Sequence, residues 1–364
     1  RLESDFVVEA LAKELPTAWI SQALWECGRQ SRRKRLLSAA TTVWIVILLG
    51  LFRRVSYLNL LEKLDGALWT LANWRPQSAP STTALTKARD RLGVEPVKCL
   101  FEISATKWLQ NTSGLVVGGL RVFALDGSTY KTPDTLVNRT HFKKPGASRG
   151  RAAYPQMRAV TLADVGTRLL RGARKGPYSS CEIQLARELL PLMDKAQLVL
   201  LDRHFLAYDF LWGIRQRGAA FLVRVPRNIR PRLVRRLGPG DALVEVAIPR
   251  SYRKTHPDLP AAWVLRQITY RPHGGKETFR LFTTLLDPSA FKKAELAALY
   301  HQRWEEETIT DEIKTHLCEC ATVNRAVVFR SRTPERVEQE WYALLIAYNA
   351  VRKVMAHCQR VFAG

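Results

Sequence analysis

Residues 120–225 constrain the fold most strongly, because apolar segments of strand length alternate there with segments of helical spacing. Short apolar runs bounded by glycine or polar turns are typical of strands, and apolar residues three or four positions apart are typical of helices. The order strand, strand, strand, helix, strand, helix, strand predicts a mixed α/β sheet covered by helices. In that order the segments are LRVFALDG, QMRAVTLADV, TRLLRGARK, SSCEIQLARELLPLM, QLVLLDRHF, AYDFLWGIRQRG and AAFLVRV.

The segments on either side of this α/β stretch differ from it in pattern. The preceding residues have helical spacing, and the 14-residue apolar run at 39–52 predicts a buried helix, since roughly 18 residues are needed to span a bilayer. Residues 226–285 are rich in proline, glycine, arginine and β-branched residues and predict an all-β insertion. We therefore predict a helical N-terminal domain at 1–114, an α/β domain formed by 115–225 and 286–364, and a β-rich insertion at 226–285.

The charge balance indicates a polyanionic partner. The chain carries 57 lysines and arginines against 33 acidic residues, a formal net charge of +24, and such an excess disfavours a compact protein unless a polyanion neutralises it. Nucleic acid is the usual polyanion, and an anionic membrane surface is the weaker alternative. The six cysteines contain no C-x-x-C pair, which favours reduced thiols in a cytoplasmic protein. We expect no membrane partner.

Two long stretches contain cations and no acidic residue, and both are suited to a phosphate track. A solvated basic surface is the alternative for either stretch. Between Asp134 and Asp164 the cations are Arg139, Lys143, Lys144, Arg149, Arg151 and Arg158. Between Asp209 and Asp241 they are Arg215, Arg217, Arg224, Arg227, Arg230, Arg232, Arg235 and Arg236.

Three carboxylates are candidates for chemistry. Asp126 and Asp202 each end an apolar strand candidate, and Glu307 lies on a late helix candidate. Carboxylates at the ends of adjacent strands converge at one edge of a sheet, where a packed helix can supply a third oxygen ligand for Mg²⁺ or Mn²⁺. Two such ions roughly 3.5–4 Å apart can act on a phosphodiester. The alternatives are a turn or cap role for each aspartate and a solvated helix charge for Glu307.

A row of polar residues surrounds Glu307. Tyr300, Arg303, Glu307 and Lys314 follow one another at spacings of three, four and seven residues, so a continuous helix would place all four on one face. The opposite side of that helix would be apolar. Its residues would be Leu296, Leu299, Ile309, Ile313 and Leu317.

This row resembles the signature of DDE transposases of the insertion-sequence-four family, in which Tyr, Arg, Glu and Lys are separated by two, three and six residues. ALDGS resembles the first catalytic motif of that family, and LLDRHF resembles the second. The resemblance implies a ribonuclease-H-like mixed sheet flanked by helices and interrupted by the β-rich insertion between the second aspartate and the glutamate. The separations fit, since 202 − 126 = 76 residues and 307 − 202 = 105 residues.

The resemblance also implies the site and its partners. Asp126, Asp202 and Glu307 would bind two Mg²⁺ or Mn²⁺ ions, and Tyr300, Arg303 and Lys314 would contact the transposon end, with Trp304 beside them. Further DNA contacts are expected from Lys143, Lys144, Arg149, Arg151, Arg158, Arg227 and Arg230. The N-terminal domain would bind DNA.

The predicted function is cut-and-paste transposition in a bacterial cytoplasm, in association with the nucleoid. The partners would be double-stranded DNA of the terminal inverted repeats and the target, held by a dimer when two ends are brought together. Two alternatives are a structure-selective nuclease of the same fold and a transposase-derived DNA-binding protein without catalysis.

Overall fold

The computed structural model describes residues 9–33, 35–52, 55–57, 59–60, 80–147, 150–272, 277–303, 309, 311–316 and 328–362. Within these residues a ten-stranded sheet runs through the molecule, and helices pack on it. The helices are α1 (Thr17–Glu26), α2 (Ala39–Leu51), α3 (Thr82–Leu92), α4 (Glu95–Gln110), α5 (Leu136–Phe142), α6 (Glu182–Arg187), α7 (Tyr208–Gln216), α8 (Arg250–Thr255), α9 (Lys293–His301) and α10 (Pro334–Phe362). The strands are β1 (Val116–Val117), β2 (Leu120–Lys131), β3 (Gly146–Ala147), β4 (Gly150–Arg151), β5 (Gln156–Asp164), β6 (Leu170–Pro177), β7 (Gln197–Leu201), β8 (Ala220–Arg224), β9 (Arg232–Gly238), β10 (Asp241–Ala247), β11 (Ala262–Tyr270) and β12 (Phe279–Thr283).

One half of the sheet has the strand order β6-β5-β2-β7-β8. β5 is antiparallel to both of its neighbours, whereas β7 is parallel to β2 and to β8. This is the strand arrangement of a ribonuclease-H-like fold, and the predicted fold class is confirmed. The sequence pattern was sufficient for the parallel strands β7 and β8, because they are apolar runs buried on both faces over most of their length.

The other half of the sheet is formed by residues 226–285. β12 pairs with β8, and β11, β10 and β9 follow as an antiparallel meander, so the predicted β-rich segment extends the central sheet. The prediction that this segment is all-β is wrong in one respect, since it also contains the short helix α8. Arg266 is fully buried in β11 and forms a bidentate ion pair with Asp241 of β10 at 2.8 and 2.6 Å. The limits of the three domains stay predictions.

Alternate residues of β2 face two different hydrophobic clusters. Phe123 and Leu125 belong to the larger cluster, which includes residues of α2, α4 and α10. Val122 and Ala124 belong to a smaller cluster that contains residues of α9. Because side chains of a strand alternate between its faces, this parity also fixes the face on which the following polar residues lie.

The N-terminal helices are joined to α10. The predicted buried helix at 39–52 is present as α2, which approaches α10 so closely that a Cβ on Gly50 would lie 3.1 Å from the Leu344 backbone nitrogen. Arg89 of α3 is 3% exposed, and its guanidinium donates to the Gln339 side chain and to the Arg336 carbonyl. Among the described residues, no helix is both long and apolar enough to cross a membrane.

Candidate active site

Asp126 and Asp202 lie side by side at one edge of the central strands. β2 and β7 are parallel, and their last paired residues are Leu125 and Leu201, so each aspartate is the next residue along its strand. Adjacent strands are roughly 4.8 Å apart. Asp126 has the parity of Val122 and Ala124, and Asp202 has that of Leu198 and Leu200, so both carboxylates lie on the face that carries α9.

The prediction that the first strand ends at Asp126 is wrong. β2 continues to Lys131, because its pairing with β5 persists from Asp126 opposite Thr161 to Lys131 opposite Gln156. β7 has already ended at that point, so Asp126 has a neighbouring strand on only one side. The aspartate is therefore half-buried at a notch in the sheet, where a ligand can reach it.

Asp202 has the turn role that was the alternative to a catalytic one. Its Oδ1 accepts a hydrogen bond from the His204 backbone N–H at 2.7 Å, and its Oδ2 lies 2.8 Å from His204 Nδ1. The side chain of Asp202 is 23% exposed, and that of His204 is 68% exposed. A carboxylate oxygen has more than one lone pair, so the turn holds Asp202 in place and leaves it able to bind a further ligand.

Tyr300 is buried beside Asp202. Its side chain is 3% exposed, and its hydroxyl donates to the carbonyl of Leu201 at 3.2 Å. Burial raises the pKa of the Tyr300 phenol to about 12; the Arg303 guanidinium opposes this shift, and the Asp202 carboxylate adds to it. In this conformation Tyr300 supports the end of β7, and its predicted contact with DNA stays a prediction.

Arg303 lies two residues beyond the end of α9 and lines a polar cavity. Its guanidinium lies 6.0 Å from the centre of the Tyr300 ring. A cavity of about 390 Å³ is lined by Asp202, Arg203, Arg224 and Arg303, among others. The second predicted aspartate and the predicted arginine are thus brought to one concave surface.

The prediction that one continuous helix carries the whole polar row is wrong. α9 ends at His301, where the backbone N–H groups of Gln302 and Arg303 turn back to the carbonyls three residues earlier. The apolar residues explain the break. Leu296 and Leu299 belong to the smaller hydrophobic cluster, whereas Ile309 and Ile313 belong to the larger one, so the two halves pack in different places.

Lys314 nevertheless lies near the first aspartate. Its ammonium is 5.3 Å from the centre of the ring of Tyr130, four residues along β2 from Asp126. Burial lowers the pKa of Lys314, and the carboxylates of Asp126 and Asp311 oppose that shift. The structure therefore places Arg303 beside Asp202 and Lys314 near Asp126. Glu307 and Trp304 lie outside the described residues.

The predicted DNA contacts of the first basic stretch are partly engaged within the protein. Arg158 forms an ion pair with Glu182 at 2.5 Å, and Lys144 forms one with Asp134 at 2.8 Å. Lys143 is exposed. Arg149 and the side chain of Arg151 lie outside the described part of the chain.

A second cavity adjoins the first and contains Arg203 and Arg280, which were not predicted from the sequence, beside the predicted Arg227. It measures about 540 Å³, and Arg203, Arg224, Arg227 and Arg280 contribute to its walls. Arg203 and Arg224 line both cavities. The places of Arg203 and Arg224 in the sequence could have indicated both residues. Arg203 directly follows Asp202, and Arg224 is the last residue of the next parallel strand. Arg230 is exposed on the same insertion.

The donor set fits a divalent cation as far as the structure describes it. Two half-buried carboxylates on one face of adjacent strands are hard oxygen ligands of the kind that Mg²⁺ and Mn²⁺ prefer. No group of three or more potential metal ligands occurs among the described residues. A third protein ligand would have to come from the rest of the chain.

A ribonuclease-H-like sheet with two aspartates side by side on its central parallel strands defines a class of nucleic-acid-processing enzymes. Comparison with known proteins identifies the family. A model described as "Transposase DDE domain" matches residues 118–350, and one described as "Insertion element 4 transposase N-terminal" matches residues 6–102. The chain belongs to the insertion-sequence-four family of DDE transposases, which bind DNA, depend on divalent metal ions, and cleave and join DNA strands.

Two sequence relatives agree with this assignment. The chain is 31% identical over 349 residues to "Transposase InsG for insertion sequence element IS4" of Escherichia coli (strain K12), a match that covers 95% of this chain and 76% of InsG. It is 29% identical over 276 residues to "Putative transposase InsZ" of the same organism, covering 72% of this chain and 85% of InsZ. A solved structure of the piggyBac transposase synaptic complex with hairpin DNA aligns with 98% of this chain and 76% of that chain, at a TM-score of 0.49 and 11% identity.

Proposed function

We propose that Asp126, Asp202 and Glu307 together bind two Mg²⁺ or Mn²⁺ ions at the edge of the sheet. The placement of Asp126 and Asp202 on one face of adjacent parallel strands carries this proposal. Glu307 is the third ligand because the chain on either side of it lies at the site. Arg303 lines the cavity of Asp202, and Lys314 is near Asp126.

The chain's own residues would hold and orient DNA at this edge. When bound, the metal ions would activate the attacking hydroxyl and stabilise the leaving oxygen of the phosphodiester. Arg303 would bind phosphate oxygens in the cavity beside Asp202. Arg224 would do so in exchange for its ion pair at 2.8 Å with Glu277, which lines the same cavity. Tyr300 would fix the position of the end of β7, and with it that of Asp202, through its hydrogen bond to the Leu201 carbonyl. Lys314 would offset the mutual repulsion of the carboxylates.

We further propose that the DNA consists of the terminal inverted repeats and then the target, and that two copies of the chain hold two ends. The excess of cations, +24, suits a protein that contacts several stretches of backbone at once. These events would take place in the bacterial cytoplasm.

Single substitutions of the three carboxylates test the assignment. Asp126→Asn, Asp202→Asn and Glu307→Gln are each expected to lower Mg²⁺-dependent cleavage of a duplex carrying the element's terminal repeat by at least about 100-fold. DNA binding should stay within about threefold, because removal of a negative charge does not weaken phosphate contacts. Asp258→Asn, an exposed carboxylate of the insertion, is the matched control.

The result is read in two assays. A pre-cleaved end with a free 3′-hydroxyl measures joining separately from cleavage, which distinguishes a transposase from a nuclease of the same fold. Calorimetric titration with Mn²⁺ should show two ions for the parent and fewer for each variant. Normal cleavage by any of the three variants would show that the residue concerned is not a metal ligand.

A further inference from the structure

Lys314 lies on a π-helical turn, Glu312–His316, between α9 and α10. Such turns are rare, since their hydrogen bonds span five residues, and they occur frequently at functional sites. Ile313 in this turn is 1% exposed and belongs to the larger hydrophobic cluster, together with residues of α10. The turn is therefore packed against the body of the protein through an apolar side chain.

The Glu312 carboxylate holds the same turn through polar contacts. Its Oε1 accepts a hydrogen bond from Arg168 Nη1 at 2.7 Å and lies 3.8 Å from Arg352 Nη1. Its Oε2 accepts from the hydroxyl of Tyr348 at 3.0 Å. The side chain of Glu312 is 21% exposed, and Tyr348 is 2% exposed. We call these three contacts the Glu312 anchor.

Arg168 reaches Glu312 from an unusual backbone conformation. It lies in the turn between β5 and β6 with a φ of 61°, in the left-handed region that few residues other than glycine adopt. Asp164 holds this turn, because its carbonyl accepts from the Arg168 N–H at 2.8 Å and its Oδ1 accepts from the Thr167 N–H at 2.7 Å. Glycine would fit this conformation without strain, so what an arginine adds is its guanidinium, which contacts Glu312.

α10 is joined to the turn between β5 and β6. The fully buried Asn349 side chain accepts from the Leu170 N–H at 2.8 Å and donates to the Leu170 carbonyl at 2.9 Å. Arg352 donates to a carbonyl of the turn at 3.5 Å. Tyr348 and Arg352 therefore contact Glu312 from a helix whose position against β5 and β6 is set by hydrogen bonds.

Glu312 and Lys314 lie on different sides of the π-helical turn, since helical residues two positions apart do not face each other. Glu312 contacts α10 and the turn after β5. The Lys314 ammonium lies over the ring of Tyr130, and the Asp126 carboxylate is close enough to act on the pKa of Lys314. The contacts on one side of the turn thus fix the position of the ammonium on the other.

We infer that Glu312 is a positioning residue, which fixes the π-helical turn through its anchor and thereby holds the Lys314 ammonium near Asp126. The inference rests on the proposed function, in which that ammonium offsets the repulsion between the metal-binding carboxylates. Glu312 is not itself a metal ligand in this arrangement, because both of its oxygens contact protein donors. Without the anchor the turn shifts, and a displacement of about 1 Å in an active site lowers the rate by up to about 100-fold.

The test is a double-mutant cycle on the single-turnover rate of Mg²⁺-dependent cleavage, at saturating protein, of a duplex with the element's terminal repeat. Glu312→Ala is expected to lower this rate by about 10- to 100-fold. Because Glu312 acts through Lys314, the same substitution in a Lys314→Ala background should lower the rate further by less than about threefold. A residue needed only for overall stability would not lose its effect in that background.

Arg168→Gly tests the anchor from the other side. It removes the guanidinium and relieves the left-handed backbone, so the expected loss of about tenfold in rate cannot come from backbone strain. Arg168→Lys keeps the positive charge and should lose less. If Glu312→Ala does not fold, Arg168→Gly takes its place in the cycle with Lys314→Ala. Glu295→Ala, at an exposed carboxylate in the first turn of α9, is the matched control and should cleave within about twofold of the parent.

Two measurements do not depend on cleavage. Hydrogen–deuterium exchange of residues 311–316 should be faster in Glu312→Ala than in the parent, while exchange in α4 stays the same. Calorimetric titration with Mn²⁺ should show as many ions for Glu312→Ala as for the parent.

Loss of a bound ion in Glu312→Ala would make Glu312 a metal ligand and would overturn the inference. Equal losses of rate in the two backgrounds would also overturn it, as would a Lys314→Ala variant that cleaves at the parent rate. If the parent itself shows no Mg²⁺-dependent cleavage, the proposed function fails, and the exchange measurement alone decides whether Glu312 anchors the turn.

Discussion

Replacement of Gly127 by alanine would place a methyl group against the carboxylate of Glu182. An ideal Cβ on residue 127 lies 2.6 Å from Glu182 Cδ and 2.7 and 3.0 Å from its two oxygens. The carboxylate cannot move without loss, because it forms an ion pair with Arg158 at 2.5 Å, and Arg158 also donates to the Tyr178 carbonyl at 3.1 Å. Relief of the contact therefore requires either that the Glu182 carboxylate and Arg158 shift together or that the strand carrying Asp126 moves.

The expected cost follows from this crowding. Overpacking by one methyl group typically lowers the free energy of unfolding by about 1–3 kcal/mol. Because residue 127 is bonded directly to Asp126, a shift approaching 1 Å at the carboxylate would lower the cleavage rate by up to about 100-fold. DNA affinity should not change, since neither Gly127 nor Glu182 contributes a positive charge.

Thermal unfolding and single-turnover cleavage measure the two effects, and a double-mutant cycle tests their cause. Glu182→Ala removes the group that Cβ would meet, so Gly127→Ala should cost little in that background, with a coupling energy of about 1–2 kcal/mol. If Gly127→Ala is as damaging in the Glu182→Ala background as in the parent, the contact with the carboxylate is not the reason for a glycine after the first aspartate.

Two further predictions concern stability. The pKa of Asp209 is lowered, because hydrogen bonds from Arg187 and Tyr252 outweigh burial, which alone would raise it. Its contribution to stability is therefore present above pH of about 4 and is lost as the pH falls through the lower folded-state pKa, so Asp209→Asn should flatten the unfolding midpoint against pH in that acid range. Arg89→Met, which removes the hydrogen bonds of a buried guanidinium, should lower the free energy of unfolding in urea by about 2–5 kcal/mol, whereas exposed Arg91→Met should change it by less than about 0.5 kcal/mol.

The pairing of the two aspartates could be predicted from sequence for a simple physical reason. Buried parallel strands are apolar on both faces and end where the chain becomes polar, so Asp126 and Asp202 follow apolar runs that align in register. The extent of β2 could not be predicted in this way. The length of β2 depends on its pairing with β5. The residues after Asp126 do not alternate between apolar and polar as a strand usually does, so the sequence does not reveal that pairing.

The continuity of the polar row could not be predicted either. Leu299 and Ile309 have spacings that fit one helix, yet they pack in different hydrophobic clusters, and periodicity contains no information on which cluster a residue joins. The burial of Arg89, by contrast, could have been predicted from the sequence. It lies on the stripe formed by Leu85 and Leu92, the buried side of α3, where a charged residue usually has a structural partner.

The two uses of arginine in this chain explain why its formal charge overstates what DNA can neutralise. Arg89 and Arg266 are buried, and Arg330 donates to the carbonyls of Leu49 and Val55, so these residues attach the N-terminal helices and the insertion to the catalytic sheet. Arg203 and Arg227, by contrast, are exposed and line a concave surface beside Asp202 that DNA can reach. Counterion release depends only on charges that reach phosphates. The slope of log Kd against log salt should therefore follow the second group. Loss of Arg89 or Arg266 should change the stability of the protein and leave that slope unchanged.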